Sequence, residues 1–489
     1  MLARVINYKA IAKLMGMILI IIGLSMIPSY VCATYYHESK VARGLFISMV
    51  IILAVGFILF AAMKLAPTIF RAREGYLAVA LCWLIASLFG TMPFLFTGTT
   101  HSFVDALFES TAGFTTTGCT VIDVSAFSKS TLLWKATSNW LGGMGILIFV
   151  ISVFPALGIN GQVIAKLETP TPVLEKATIR MTDTAKVLYS IYICFSLLEF
   201  VVLNFGSRMT TLDALINTLS SISTAGIFIR PGGLAYYGSC YVNTVICVFS
   251  LLGSVNFILY FYLIRGNWKL LIKDLELKTF AKIIISAIVL CTLTLTFISD
   301  FSFSESIKLS AVQCISVMTT SGFTITDISW PSTCLMVFFI LMFIGGCSAS
   351  TSGSLKVIRV IIMCKYIKRG LYRKLHPRAI TSMNFKNEPV PRKVKSNISV
   401  FIIAFFGTFL LGCFILSFQG LELMKTCSSV ISLMSNTGLS FNNAGVTSND
   451  FTMYSPAIKI FLSILMMVGR LELFTIIILF TRSFWNRKN

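Results

Sequence analysis

The sequence contains few charged residues. Asp, Glu, Lys and Arg make up 12% of its 489 residues, whereas about a quarter of the residues in a soluble domain are charged. Hydrophobic side chains make up 56% of the chain, and its mean hydropathy is +0.86. This composition excludes a soluble globular protein and indicates a membrane protein.

The residues that build metal sites, nucleotide sites and active sites are also scarce. There are only three histidines, and the 13 cysteines are scattered without a C-x-x-C pair, which excludes a zinc cluster. No GxxxxGK[ST] or GxGxxG motif occurs. No nucleophile–base pair or pair of carboxylates can be placed in a shared cavity. We therefore expect neither an enzyme nor a bound organic cofactor.

The few charges present are mostly basic. There are 40 Lys and Arg against 19 Asp and Glu, which gives a formal net charge of +21. In a soluble chain this excess would suggest nucleic-acid binding, but in a membrane protein basic residues accumulate in cytoplasmic loops. If both termini are cytoplasmic, 30 basic residues fall on that side, nine fall outside and Arg470 lies within a span. We therefore expect a multi-pass membrane protein with both termini in the cytoplasm and no nucleic-acid partner.

Long apolar runs predict ten membrane spans, because a bilayer core needs about 20 residues of helix. The runs lie near 12–33, 45–66, 76–97, 132–155, 185–204, 242–264, 281–299, 334–362, 398–418 and 456–482.

Four short segments between the spans are similar to one another. Residues 105–120 and 213–228 align without gaps, and 311–324 and 427–440 fit the same frame. Their glycines, 118, 226, 322 and 438, are separated by 108, 96 and 116 residues, which indicates a fourfold repeat of about 100 residues. Each repeat reads as helix, short helix, polar glycine turn, helix. Asp105 and Asp213 are expected to cap the first two short helices.

The glycine turns are suited to binding a cation. Their backbone carbonyls could replace the hydration shell of an ion, as in potassium filters, and glycine permits the positive φ that this arrangement needs. No carboxylate lies within the four-residue turns, so a site for a divalent ion is not expected. The alternative is that small residues simply line helix contacts. Four occurrences in register favour a pore.

The eighth span contains a second unusual segment. Residues 345–354 read GGCSASTSGS, a poor helix former near the middle of the span, which predicts a polar loop below the turns. The alternative is a continuous helix with a face of small residues. Arg470, deep in the last span, is expected to reach this loop and to set an electrostatic barrier, unless it snorkels to the membrane edge. Glu109 and Glu199 are assigned no function.

These residues resemble the superfamily of potassium transporters that includes Trk, Ktr and the plant high-affinity potassium transporters. TTTGCT, STAG, TTSGFT and SNTGLS resemble its four filter loops, and further signatures are NWLGGMGI, GGCSASTSGSLKVIR, HPRA and GRLELFT. Two helices before the first repeat resemble the TrkH branch. The fold implied is an all-α polytopic membrane protein with four pseudo-symmetric helix–pore loop–helix repeats around a central pore, preceded by two extra helices. The corresponding division is 1–68, 69–165, 166–266, 267–396 and 397–489.

The resemblance also implies a function and its residues. It implies potassium uptake across the bacterial inner membrane through a selectivity filter, with K⁺ as the permeating ion and an intramembrane loop as the gate. It also implies a homodimer regulated by a TrkA-like cytoplasmic nucleotide-binding subunit. The implied filter consists of Thr116, Thr117, Gly118, Thr224, Ala225, Gly226, Thr320, Ser321, Gly322, Asn436, Thr437 and Gly438. The implied gate consists of Gly345, Gly346, Cys347, Ser348, Ala349, Ser350, Thr351, Ser352, Gly353 and Arg470. All four filter glycines are present, which favours potassium over sodium.

The sequence departs from the family pattern at several positions. Ala225 and the following Ile227–Phe228 differ in the second filter loop, where relatives often show a second glycine and an aromatic residue. Ala349 and Ser354 stand in the gate segment where glycines are usual.

Two alternatives remain open from the sequence. One is a secondary cation transporter coupled to sodium or protons, although the repeats are parallel and Glu199 is the only acid well inside an ordinary span. The other concerns the two basic cytoplasmic segments 265–282 and 363–396, which could dock a regulatory subunit or meet anionic lipid of the bilayer.

Overall fold

The fold is seen in a computed structural model of the chain. It describes residues 6–63, 72–145, 181–227, 229–230, 232–325, 328–378, 384–385, 388–389, 392–442, 445–447 and 451–485.

The described residues form helices joined by short connections, with two small β-hairpins. The helices are α1 Tyr8–Ser25, α2 Ile27–Tyr35, α3 Ser39–Ala62, α4 Ala72–Phe89, α5 Thr91–Phe96, α6 Phe103–Phe114, α7 Lys129–Gly143, α8 Met181–Gly206, α9 Thr211–Ile222, α10 Cys240–Ser254, α11 Phe257–Ile264, α12 Trp268–Lys273, α13 Leu275–Ile298, α14 Phe303–Met318, α15 Ser332–Phe343, α16 Val357–Leu375, α17 Arg392–Ser417, α18 Leu423–Ser435, α19 Pro456–Arg470, α20 Phe474–Leu479 and α21 Arg482–Trp485. Short 3₁₀ turns lie at Val124–Ala126 and Gly233–Tyr237, and strands at Asn384–Phe385, Glu388–Pro389, Ser440–Asn442 and Gly445–Thr447. Each hairpin pairs two neighbouring strands antiparallel.

Six of the described helices are long and apolar enough to cross a membrane. They are Tyr8–Tyr35, Ser39–Ala62, Arg73–Phe96, Ala185–Gly206, Leu275–Ile298 and Val394–Ser417. The first two precede the first repeat, as the sequence predicts. The other four are each followed by a short helix, which we call pore helices 1 to 4 (α6, α9, α14 and α18), and by a glycine turn. The fold is therefore the expected all-helical membrane fold, and the boundaries assigned to the five segments stay a prediction.

The pore helices begin earlier than the two aspartates suggest. Ser102 and Thr210 cap pore helices 1 and 2 by accepting hydrogen bonds from the backbone amides of Asp105 and Asp213. The prediction that the aspartates are the caps is therefore wrong by three residues. Hydroxyl side chains compete equally well for this position, so composition alone did not distinguish them.

The helix after each glycine turn is not a simple span, which corrects the predicted spans 242–264 and 456–482. The first is bent by 92° between α10 and α11, and α19 ends at Arg470 instead of continuing to residue 482. The span 334–362 is interrupted between α15 and α16, as predicted. Helix α7 ends at Gly143, and the second half of the candidate span 132–155 lies outside the described residues, as do 64–66 of the second span.

The bend in the second repeat is accompanied by one local hydrogen bond and two long-range ones. The side chain of Asn256 caps α11 by accepting from the amide of Ile258, and the freed carbonyl of Ser254 accepts from the amide of Cys347. The amide of Phe257 in turn donates to the carbonyl of Ala349. The backbone groups released by the bend thus bind the broken segment of the third repeat. Hydrophobicity could not predict this bend, because both halves are apolar.

Candidate pore and gate

The four glycine turns share one backbone conformation. In each turn the glycine has a positive φ, between 62° and 78°, and the residue two positions earlier also has a positive φ, between 53° and 57°. These earlier residues are Thr116, Thr224, Thr320 and Asn436. A positive φ is uncommon outside glycine and costs roughly 1–2 kcal/mol per residue. Its presence at four equivalent positions indicates that this conformation is a specific feature of the fold. The sequence predicted the unusual φ only for the glycines.

The backbone amides of the turns point back toward the pore helices. The amide of Thr117 donates to the carbonyl of Ala112 at 2.9 Å, and that of Ala225 donates to Ser220 at 2.9 Å. The amides of Ser321 and Thr437 make the corresponding bonds, at 2.9 and 2.8 Å. With their amides engaged in this way, the carbonyls of the same residues are available for other contacts.

The turns meet in cyclic order around one axis. A Cβ atom on Gly118 would lie 1.6 Å from the carbonyl oxygen of Ala225, and one on Gly226 would lie 1.6 Å from that of Ser321. The same relationship joins the third turn to the fourth, at 2.0 Å, and the fourth to the first, at 2.1 Å. The residue before each glycine therefore places its carbonyl against the glycine of the preceding repeat. Four carbonyls form a closed ring at this level, which can surround a single ion.

Side-chain hydroxyls support three of the turns. The pairs Thr115–Thr117, Thr319–Ser321 and Ser435–Thr437 lie 2.9, 2.9 and 2.7 Å apart between their hydroxyl oxygens. The second turn has Ala225 at this position and lacks the pair. Ser223 instead donates to the carbonyl of Leu219 at 2.7 Å. The departure seen in the sequence thus removes a hydrogen bond and leaves the backbone of the turn unchanged.

The broken segment of the third repeat, which we call loop 344–356, lies against these turns. The amide of Gly353 donates to the hydroxyl of Thr320 at 2.8 Å, and Thr224 donates to the hydroxyl of Thr351 at 3.3 Å. A Cβ atom on Gly353 would lie 2.0 Å from the carbonyl of Ser435. The loop therefore contacts the turns of the second, third and fourth repeats, one or two residues before the carbonyls that form the ring.

The ends of loop 344–356 are held together. Ile344 and Leu355 form a parallel bridge, and the amide of Val357 donates to the carbonyl of Gly346. Ala349 and Ser354, where the family resemblance leads us to expect glycines, have φ values of 50° and 62°. Both residues therefore place side chains where the backbone favours glycine.

Arg470 binds two repeats at once. Its Nη1 donates to the carbonyl of Thr351 at 2.8 Å, and its Nη2 donates to the carbonyls of Gly142 and Gly143 at 2.6 and 2.8 Å. The contact predicted between Arg470 and the broken segment is therefore confirmed. The C-terminal end of α7 carries partial negative charge, which suits a guanidinium. The role of Arg470 as a barrier stays a prediction.

The sequence prediction missed other charged residues around loop 344–356. The ammonium of Lys356 is buried and donates to the carbonyl of Ser352, and Arg359 forms an ion pair with Glu472. Glu276 accepts hydrogen bonds from the backbone and the hydroxyl of Ser348. The sequence did contain a sign of these residues. The run LKVIR, which follows residue 354, places the cations Lys356 and Arg359 in an apolar region.

Glu109 and Glu199 were assigned no function from the sequence. Glu109 lies in pore helix 1 and contacts the backbone after its glycine turn, and Glu199 contacts pore helix 2. Glu109 is completely buried, pairs with Lys135 at 2.7 Å and accepts from the amide of Val121 at 2.7 Å. Glu199 is also completely buried and accepts from the hydroxyl of Ser221 in pore helix 2.

Among the described residues, the twelve predicted filter residues come together and are buried. The nine predicted gate residues of the third repeat form one loop beside them, in which Ala349 and Ser350 are the more exposed members. No group of three or more His, Cys, Asp or Glu among the described residues could hold a metal ion.

Comparison with known proteins identifies the family. Residues 37–487 match the model of the TrkH family, whose description is cation transport protein. The chain belongs to the TrkH family. The Trk system potassium uptake protein TrkH of Escherichia coli K12 is 30% identical over 485 residues, which are 98% of this chain and 99% of the relative. The Trk system potassium uptake protein TrkG of the same strain is also 30% identical, over 486 residues, which are 98% of this chain and 99% of the relative.

A solved member of the TrkH family has the same fold. The crystal structure of the potassium transporter TrkH from Vibrio parahaemolyticus superposes with a TM-score of 0.88 and 28% sequence identity, covering 98% of this chain and 100% of that chain. Membership in a family of cation transport proteins makes the chain a transporter and not an enzyme.

Proposed function

We propose that this protein carries potassium ions across the bacterial inner membrane, with K⁺ passing through the ring formed by the four glycine turns. The observation that carries the proposal is the cyclic contact in which each glycine touches the carbonyl of the next repeat, as Gly118 touches Ala225. Carbonyl rings of this kind replace the hydration shell of a monovalent cation. The relatives from Escherichia coli are named potassium uptake proteins.

The proposed filter consists of the glycine of each turn and the two residues before it. Its members are Thr116, Thr117, Gly118, Thr224, Ala225, Gly226, Thr320, Ser321, Gly322, Asn436, Thr437 and Gly438. Neutral oxygens without a carboxylate favour a monovalent ion over a divalent one.

Loop 344–356 and Arg470 form the gate in this proposal. The loop contacts Thr224 and Thr320 directly, so an ion that leaves the ring toward the loop meets protein instead of water. The guanidinium of Arg470 places a positive charge beside Thr351, which opposes the passage of a second cation. Both features support a closed pathway that opens when the loop moves.

The proposed topology places both termini in the cytoplasm, with repeats at 69–165, 166–266, 267–396 and 397–489 after the helix pair 1–68. The distribution of basic residues supports this orientation. The exposed second half of α16 carries Lys368, Arg373 and Lys374. We place the docking surface for a TrkA-like nucleotide-binding subunit there, in a complex containing two copies of this chain.

The test of potassium transport is ion flux in proteoliposomes that contain the purified protein. Uptake of potassium, rubidium and sodium is compared at imposed voltages, with empty vesicles as the control. We expect potassium uptake that follows voltage without added sodium. Equal sodium and potassium fluxes would contradict the proposed filter. Uptake that requires a sodium or proton gradient would instead indicate a coupled secondary transporter.

The gate and the partner are tested separately. Deletion of a few residues within 346–353 is expected to raise passive potassium flux, and a folded deletion variant that conducts no better than the unaltered protein would contradict the gate. Charge reversal at Lys368, Arg373 and Lys374 is expected to abolish co-purification with a TrkA-like protein. Unchanged co-purification would exclude this surface as the docking site.

A further inference from the structure

One carboxylate contacts loop 344–356 at two separate places. Oε1 of Glu276 accepts from the backbone amide of Ser348 at 2.7 Å and from that of Ile358 at 3.2 Å. Oε2 accepts from the hydroxyl of Ser348 at 2.7 Å. Ser348 lies in the first half of the loop, whereas Ile358 lies in the first turn of α16, directly after the loop. A single side chain therefore bridges the loop and the helix that follows it.

The position of Glu276 makes this bridge strong. The side chain is 4% exposed, and charge-assisted hydrogen bonds in such an environment are about twice as strong as neutral ones. The amide of Ile358 is at the N-terminus of α16, where the helix dipole favours a negative charge. Without the carboxylate, the buried amides of Ser348 and Ile358 would lose their acceptor.

Glu276 also joins the loop to a surface segment. It is the second residue of α13, and α12, which ends at Lys273, has no buried residues. Trp268 and Ile272 of α12 are both more than half exposed. Asp274, between the two helices, caps α13 by accepting from the amide of Leu277 at 2.9 Å. Glu276 therefore lies three residues after the end of an exposed helix.

We propose that Glu276 is a positioning residue that holds loop 344–356 in its closed place. This inference rests on the proposed gate, because it assigns the group that keeps that gate closed.

Cys347, next to Ser348, is a native reporter of the loop. It is 1% exposed, so its thiol is protected while the loop is in place. Two other cysteines serve as internal references in the same experiment. Cys364 is exposed and should always react, and Cys291 is completely buried in α13 and should react only if the protein unfolds.

The experiment is a short pulse of N-ethylmaleimide on the full-length protein in proteoliposomes, with the labelled peptides quantified by mass spectrometry. Glu276→Ala is expected to raise the labelling rate of Cys347 at least about tenfold, which corresponds to about 1.4 kcal/mol, while Cys291 stays protected. Ser348→Ala, which removes only the hydroxyl contact, should give a smaller rise. The double variant should label no faster than Glu276→Ala alone, because both changes affect the same contact.

Thr279→Ala is the matched control, since it removes a hydrogen bond within the same helix, from the hydroxyl of Thr279 to the carbonyl of Leu275. Cys347 should stay protected in this variant. Protection of Cys347 in Glu276→Ala, or equal labelling in Thr279→Ala, would overturn the proposal. If Glu276→Ala makes Cys347 reactive but leaves potassium flux unchanged, the positioning role is supported and the proposed gate is contradicted. If Cys347 stays protected in Glu276→Ala while the deletion within 346–353 raises flux, the gate is supported and the positioning role is contradicted.

Discussion

The ammonium of Lys135 lies 2.7 Å from Oε2 of Glu109, and both side chains are almost completely buried beside the first glycine turn. Lys135 also donates to the carbonyl of Cys119 at 3.0 Å, and the other oxygen of Glu109 accepts from the amide of Val121. The pair therefore connects α7 and pore helix 1 to the backbone just beyond Gly118. A buried ion pair of this kind fixes geometry more than it adds net stability.

Removal of one partner of this pair should be strongly destabilising. In Glu109→Gln, Lys135 would keep a buried charge without its counter-ion, at a cost of about 3–5 kcal/mol. We expect a clear fall in the thermal unfolding midpoint of the detergent-purified protein. The double variant Glu109→Gln/Lys135→Met should recover much of the loss, because no buried charge remains.

The matched control is the more exposed pair formed by Asp105 and Lys459, with a distance of 2.7 Å. Asp105→Asn should cost less than Glu109→Gln, because the side chain of Asp105 is 24% exposed whereas that of Glu109 is fully buried. Equal losses in Glu109→Gln and Asp105→Asn would show that burial of the first pair has no special consequence.

Gly226 and Gly238 allow steric contact to be separated from backbone strain. Their φ values are similar, 62° and 55°, but a Cβ atom on Gly226 would lie 1.6 Å from the carbonyl of Ser321, whereas one on Gly238 would meet nothing within 4 Å. Both alanine variants carry a strain of about 1–2 kcal/mol. Only Gly226→Ala should also displace the ring, so we expect its potassium flux in proteoliposomes to fall to the background level.

Gly238→Ala should retain potassium flux within about twofold of the unaltered protein, because its side chain enters open space. Loss of flux in both variants would mean that strain alone accounts for the effect. Retention of flux in both would contradict the closed ring.

The sequence predicted the repeats and the turns because these depend on local patterns. Gly118 and Gly226 lie at equivalent positions in aligned segments, and glycine at a turn has a direct conformational meaning. The positive φ of Thr116 could not be predicted in this way, since threonine disfavours it. Contacts among the repeats impose that conformation, and a single segment does not contain them.

The breaks in the helices show a second limit. The segment 345–354 was recognisable because its residues are poor helix formers, but the bend between Ser254 and Phe257 lies in an apolar run. It is accompanied by a hydrogen bond between the carbonyl of Ser254 and the amide of Cys347, 93 residues away in the chain. Partners at such separations, including Glu276 with Ser348, follow only from the assembled fold.

Arg470 provides a test of the electrostatic barrier. Arg470→Ala would remove three hydrogen bonds to carbonyls, each worth about 1.5–3 kcal/mol when the donor is charged, together with the positive charge. We expect passive potassium flux at an imposed voltage to rise by roughly tenfold or more. Arg470→Lys keeps the charge without the planar fork and should give an intermediate flux.

Arg265→Ala is a suitable control for this test, because Arg265 is exposed and its guanidinium lies 4.2 Å from the ring centroid of Phe261. Its flux should match that of the unaltered protein. Unchanged flux in Arg470→Ala would exclude the barrier and would favour a purely structural arginine.

Ala349 provides a test of strain in loop 344–356. Its φ of 50° is left-handed, so Ala349→Gly should relieve about 1–2 kcal/mol of strain, offset in part by the greater freedom of glycine in the unfolded chain. We expect the thermal unfolding midpoint to rise slightly or stay constant. The same substitution at Ala42, inside α3, should instead lower the midpoint, because glycine costs about 1 kcal/mol in a helix. A fall of equal size in both variants would show that the left-handed conformation of Ala349 carries no strain.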